Sequence, residues 1–168
     1  MKKVLTTILF IIGLLAFGQE DHLEQIDHQV NSINLNSELS VSEFDWVELT
    51  GIATDGGGIL KIWRKNNDIR KIVQEIGLSY GRIRATIYLT NGIPIKVIET
   101  EENFGQTDDG LNYSKLDQVF KQEFFVFNWG MGEGKYKKTG KRVMSEGGCS
   151  HFENYEPIIE RAKKAIKK

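Results

Sequence analysis

The segment around Asn91-Gly92 constrains the fold of this chain more than any other part of its sequence. Residues 83–89 before it alternate between apolar and polar side chains, and residues 93–97 after it do the same. Such alternation indicates strands with one buried face, and an Asn-Gly pair between two strands indicates a hairpin. This local signal therefore predicts an antiparallel sheet.

The register of this hairpin depends on which side chains share the buried face. A two-residue turn places Lys96 beside Ile87 and splits the apolar side chains between two faces. A three-residue turn over 90–92 pairs Ile87 with Ile95 and keeps the apolar side chains together. Because Gly92, its last residue, tolerates the left-handed conformation that such a turn needs, we predict the three-residue turn.

The rest of the chain predicts further strands and two helices. Helical spacing of apolar residues predicts a first helix over 19–34, and a second helix begins near Pro157 with Asn154 or Glu156 as its cap. Strand patterns cover 59–65, 69–76, 80–90, 93–100, 115–129 and 135–143, with weaker strand character over 44–49 and a polar loop over 101–114. We therefore predict an α+β fold: an antiparallel β-meander sheet of about five to six strands with an N-terminal and a C-terminal helix packed on it.

The first eighteen residues have the pattern of an export signal. Two lysines precede an almost unbroken apolar run over 4–17, and Ala16-Phe17-Gly18 supplies the small residues that a signal peptidase recognises. The run is shorter than the roughly twenty residues of a bilayer-spanning helix, which favours a cleaved signal over a retained anchor. We predict a signal peptide over 1–18, a single α+β domain over 19–168, and a secreted or periplasmic location.

The charge balance argues against broad nucleic-acid binding. The chain carries 22 basic and 23 acidic residues, and cleavage removes two lysines, which leaves 20 basic residues and a formal charge of −3. Binding to nucleic-acid phosphates needs a basic excess. We expect no nucleic-acid partner and no membrane span after cleavage, and we expect the partner to be an envelope or extracellular protein, peptide or glycan.

No motif in the sequence defines a catalytic or cofactor site. The three histidines do not form a metal-binding pattern, and the glycines at 56–58 and 130–134 lack the residues of a phosphate loop. Cys149, the single cysteine, lies two residues before His151, which can activate a thiol. Catalytic Cys–His pairs usually meet through the fold, so an unreactive thiol in a glycine-rich connection is favoured. We expect no cofactor and no metal.

A candidate binding surface lies on the sheet face opposite the core. The candidate binding residues, which the strand alternation directs outward, are Trp63, Arg82, Arg84, Tyr88 and Lys96. Aromatic residues and arginine are enriched at binding hot spots, rings stack on sugars, and guanidinium groups bind carboxylates. The alternative is an ordinary solvated face, or one covered by a helix.

The export signal, the amphipathic first helix, the Asn-Gly hairpin and the lysine-rich last helix together resemble small exported bacterial proteins that have no assigned function. This resemblance implies an α+β fold and a periplasmic or surface location, and it implies no catalytic residues. We predict an exported, non-enzymatic binding or inhibitor-like module that recognises a protein, peptide or glycan through a sheet face. Two alternatives stay open: a small envelope hydrolase that uses Cys149 and His151 or carboxylates, and a structural envelope component.

Overall fold

The structure is a computed structural model that describes residues 20–108, 110–143 and 155–167. The chain divides into two units, Met1–Asn36 and Ser37–Lys168. The first unit is helical over 20–35 (α1), which confirms the helix predicted from the apolar spacing.

In its described residues, the second unit contains seven strands in one antiparallel sheet, whose spatial order equals their order in the chain. The strands are β1 (Ser40–Asp45), β2 (Gly58–Lys65), β3 (Asp68–Leu78), β4 (Gly81–Thr90), β5 (Ile93–Thr107), β6 (Gly110–Asn128) and β7 (Glu133–Gly140). Two helices accompany them, α2 (Trp46–Thr50) and α3 (Glu156–Ala165). The α+β class and the antiparallel meander are confirmed, whereas the expected number of five to six strands is too small.

The additional strand is β1. Weak strand character was expected over 44–49, but β1 ends at Asp45 and residues 46–49 belong to α2. Asp45 stops β1 because its carboxylate accepts hydrogen bonds from the backbone N–H groups of Val47 (2.8 Å) and Glu48 (3.0 Å). These bonds make Asp45 the N-cap of α2. Gly51, in the left-handed conformation, ends this short helix one turn later.

The polar loop expected over 101–114 is in fact a projecting hairpin. β4 begins at Gly81, which pairs with Asn103, whereas β5 and β6 stay paired with each other beyond Asn103, up to the pair Thr107–Gly110. Polar side chains do not prevent this pairing because strand ladders are held by backbone hydrogen bonds. We call residues 104–108 and 110–116 the hairpin arm.

The turn between β4 and β5 has two residues, so the predicted three-residue turn is wrong. Asn91 and Gly92 both have positive φ (52° and 76°), as a type I′ turn requires. A β-bulge at Ile95 then shifts the register, so that Val97 and not Ile95 pairs with Ile87. The bulge keeps the buried face apolar, which was the condition that favoured the longer turn.

The core lies on the face of the sheet that packs against α3, which we call the inner face. Its buried sheet residues are Leu60, Ile62, Ile69, Ile72, Ala85, Ile87, Leu89, Val97, Phe124 and Val126, and those of α3 are Ile158, Ile159, Ala162 and Ala165. Pro157 lies in the first turn of α3 as predicted, but the N-cap is Tyr155 and not Glu156; Asn154 lies outside the described residues. The opposite face of the sheet is the outer face.

Candidate functional site

A row of alternating aromatic and lysine side chains crosses the outer face. Pairing between successive strands joins Trp63, Lys71, Tyr88, Lys96, Phe125 and Lys135, one residue from each of β2 to β7. We call these six residues the aromatic–lysine row. It contains three of the candidate residues named from the sequence, and it shows that they lie on one face.

Contacts between lysines and rings hold this row together. The ammonium of Lys71 lies 4.7 Å from the ring centroid of Trp63 and 5.4 Å from that of Tyr88. The ammonium of Lys96 lies 4.1 Å from the ring centroid of Phe125. Each such contact contributes about 0.5–1 kcal/mol at exposed sites and more where water is excluded. Burial lowers the pKa of Lys71 below that of an ordinary lysine.

Two residues of the row are less accessible than their sequence pattern suggested. Tyr88 is 5% exposed and Lys96 is 4% exposed, so neither side chain faces open solvent. The Lys96 ammonium lies 2.8 Å from Glu123 Oε1, which compensates the buried charge. Trp63 is partly buried. Tyr88 and Lys96 therefore stabilise the sheet and offer little surface to a partner.

Arg82 and Arg84, the other two candidate residues, form an ion-pair cluster on the outer face. This cluster lies near the Gly81 end of β4, away from Tyr88. Arg84 Nη2 lies 2.6 Å from Glu75 Oε2, and Arg82 Nη1 lies 3.4 Å from Glu75 Oε1. Arg82 also donates a hydrogen bond to Glu102, which raises the pKa of its guanidinium. Both arginine side chains remain about one-third exposed, with Arg82 at 30%. They are held rigidly and still reach solvent.

A cleft of about 520 Å³ adjoins this cluster, beneath the hairpin arm. Its lining residues include Asp55, Ile59, Glu75, Ser79, Arg82, Phe104, Tyr113 and Leu116. The rings of Phe104 and Tyr113 meet edge to face, with centroids 5.0 Å apart and an interplanar angle of 61°. Tyr113 is 70% exposed. We call this cavity the Arg82 cleft.

Close backbone contact between two glycines forms one side of the Arg82 cleft. The Gly56 N–H donates to the Gly77 carbonyl (3.2 Å), and the Gly77 N–H donates to the Gly57 carbonyl (2.8 Å). A Cβ on Gly77 would lie 2.4 Å from the Gly56 carbonyl oxygen. Only glycine permits this approach, so this glycine-rich segment shapes the wall of a cavity.

The sequence pattern did not predict the aromatic side of the Arg82 cleft, because Phe104 and Tyr113 fall in the segment over 101–114 that was expected to be a loop. The signal that could have found it is the alternation of Leu111 and Tyr113 across the turn from Phe104. That pattern is weak because the intervening side chains are polar. Arg82 is the one candidate residue from the sequence that lines the cleft, and Arg84 lies beside it through Glu75.

The inner face carries a second polar group that the sequence did not reveal. Glu99 and Glu101 belong to an acidic run in the sequence, yet both are buried, as is Gln122. Arg142 Nη1 lies 2.6 Å from Glu99 Oε1, and the Tyr155 hydroxyl donates to Glu99 Oε2 at 2.9 Å. Glu99 of β5 is therefore linked to Arg142 and to Tyr155, the N-cap residue of α3.

The remaining residues of the sequence hypotheses add no site. Cys149 and His151 lie outside the described residues. Within the part of the chain that is described, no cluster of three or more His, Cys, Asp or Glu side chains is arranged to hold a metal ion. None of the helices in those same residues is long and apolar enough to cross a membrane.

Comparison with protein-family models, with curated proteins and with solved structures finds no match for this chain. The fold and the site define an α+β domain with a seven-stranded meander in its described part and a cleft at one end of its outer face.

Proposed function

We propose that residues 19–168 form an exported, non-enzymatic binding module of the envelope or extracellular space. It holds a protein, peptide or glycan at the Arg82 cleft, at one end of the outer face. The observation that carries this proposal is the junction of a rigid ion-pair cluster with an open aromatic ring across one concave cavity. Concave sites with a few fixed polar groups are the usual form of ligand sites.

The outer face supports binding because its charged side chains are already ordered. The paired carboxylate and guanidinium groups around Arg82 lose little conformational freedom when a ligand arrives. Such preorganisation lowers the entropic cost of binding. The aromatic–lysine row reinforces β3 and β4, the strands from which Glu75 and Arg82 project, so these two side chains rest on regular structure.

Export is the second part of the proposal, and it rests on the N-terminal pattern of lysines, apolar run and small residues. Mass spectrometry of the protein from the periplasmic and culture fractions tests it directly. We expect a mature chain that begins at Gln19. A full-length chain retained in the cytoplasm would contradict export without touching the binding proposal.

Affinity capture from envelope extracts tests the binding role. Arg82→Gln removes the charge at the cleft, and Arg70→Gln is a control because its side chain is equally exposed (30%) and is also ion-paired, with Asp68 at 3.1 Å, but does not line the cleft. We expect protein or carbohydrate retained by the wild type to fall about tenfold with the first variant and to persist with the second. Equal retention by both variants, or no retention by the wild type, would contradict the proposal.

A further inference from the structure

The Arg82 cleft also indicates a class of ligand. We infer that it binds a neutral oligosaccharide, with one sugar ring stacked on Tyr113 and its hydroxyl groups donating to the carboxylates of the cleft. This inference rests on the proposed function, since it names the ligand of the same site.

The charges of the cleft disfavour an anionic ligand. Among its described lining residues, the charged side chains are Asp55, Glu75 and Arg82, so acidic groups outnumber basic ones. The guanidinium of Arg82 is already engaged by Glu75 and Glu102. An anion would have to displace one of these carboxylates and approach the other. A neutral polyol avoids both costs.

The same carboxylates suit hydroxyl groups. Each carboxylate has about four lone-pair positions, so an oxygen that accepts from Arg82 can accept a further hydrogen bond from a ligand hydroxyl. Hydrogen bonds to charged acceptors are stronger than those between neutral groups. Ser79, whose hydroxyl donates to Asp55, adds a further polar group to the same wall. This wall can therefore recognise several hydroxyls at fixed positions.

The opposite wall provides an apolar platform. Phe104 contacts Tyr113 edge to face and fixes the orientation of its ring, while most of the Tyr113 surface remains open. Pyranose rings present a face of C–H groups, which packs on such a ring while the hydroxyls point sideways. Leu116 extends the apolar surface of this wall, and Ile59, which pairs with Glu75, adds an apolar side chain beside the carboxylates. Carboxylates facing an aromatic ring across one cleft match a molecule that is apolar on its faces and polar at its rim.

The size and edges of the cleft favour a short saccharide over a peptide strand. A volume of 520 Å³ lies within the range of about 300–1,000 Å³ that is typical of small-molecule sites. An extended peptide usually binds by adding a strand to an open sheet edge. At the point where the hairpin arm extends beyond β4, the Phe104 N–H already donates to the Tyr80 carbonyl (2.9 Å). This backbone group is therefore not available to pair with an added peptide strand.

Calorimetric titration of residues 19–168 tests the inference. The neutral ligands are maltotriose, cellotriose and tri-N-acetylchitotriose. Trilysine and trigalacturonate serve as cationic and anionic probes. We expect at least one neutral trisaccharide to bind saturably with a dissociation constant below about 10 mM. Saturation by none of the three, or tighter binding of trilysine or trigalacturonate, would overturn the inference.

Variants at exposed tyrosines locate the binding. Tyr113→Ala should weaken saccharide binding about tenfold, whereas Tyr113→Phe, which keeps the ring, should change it less than about threefold. Tyr80→Ala is the matched control, because Tyr80 is similarly exposed (65%) and does not line the Arg82 cleft. Equal loss with Tyr80→Ala and Tyr113→Ala would overturn the inference. If capture depends on Arg82 but no saccharide binds, the binding module stands and only its ligand class is wrong.

Discussion

Gly77→Ala tests how the backbone shapes the Arg82 cleft. The added Cβ would lie 2.4 Å from the carbonyl oxygen of Gly56 and 2.7 Å from its Cα. These neighbours are backbone atoms, so no side-chain rotation can relieve the contact. The segment that includes Gly56 must move away from β3, and the wall of the cleft moves with it.

The magnitude follows from the contacts that this movement breaks. The hydrogen bonds from Gly56 to Gly77 and from Gly77 to Gly57 each contribute about 1 kcal/mol net. Replacing glycine by alanine restores about 0.4–1 kcal/mol through the lower entropy of the unfolded chain. We therefore expect the free energy of unfolding to fall by about 1–2 kcal/mol, within the usual range for overpacking.

Urea unfolding measures this change, and Gly105→Ala is the matched control. A Cβ at Gly105 meets its nearest neighbours at 3.7 Å, an ordinary contact, so this variant should be as stable as the wild type or slightly more stable. The unfolding midpoint of Gly77→Ala should fall by about 0.5–1 M at an unchanged slope. Equal midpoints for the two variants would refute the backbone argument.

Two further predictions concern buried charges. Glu99→Ala should lower the free energy of unfolding by about 3–5 kcal/mol because Arg142 and Tyr155 lose their partner, while Glu99→Gln should cost less; equal stability of wild type and Glu99→Ala in denaturant would contradict this. Burial raises the pKa of Glu123, but its hydrogen bonds and charge interactions with Lys96 and Lys121 together outweigh burial and leave the pKa below its usual value. Its stabilising effect is therefore present above the usual glutamate pKa of about 4.3 and is lost as the pH falls through the lower folded-state value. Acid titration of stability should show a shallower loss in Glu123→Gln, and identical profiles would count against the ion pair.

Local alternation was sufficient to predict most of the sheet and its antiparallel order. It failed over 101–114 because alternation reports burial, and the hairpin arm extends beyond the core while its backbone stays paired. The turn at Asn91-Gly92 shows a related limit. The Asn-Gly pair favours a two-residue turn, whereas the buried-face pattern favours a three-residue turn. The bulge at Ile95 satisfies both, because it follows a two-residue turn and keeps the apolar side chains on one face.

The sequence was sufficient to predict which face of the sheet carries the candidate residues, but not which of their side chains are exposed. Strand alternation placed Tyr88 and Lys96 outward, yet their burial depends on neighbours from other strands that no single strand reveals. Glu99 is a similar case, because its partners Arg142 and Tyr155 lie 43 and 56 residues away in the chain. Contacts at such separations leave no local pattern in the sequence.

Hydrogen–deuterium exchange tests most directly the claim that the Arg82 cleft is the binding site. Residues 19–168 would be compared alone and with the material eluted from wild-type affinity capture. We predict slower exchange in peptides that cover 75–82 and 102–116, which carry both walls of the cleft. Protection confined to 66–72 and 158–167, at the other end of the sheet, or no protection at all, would contradict the account.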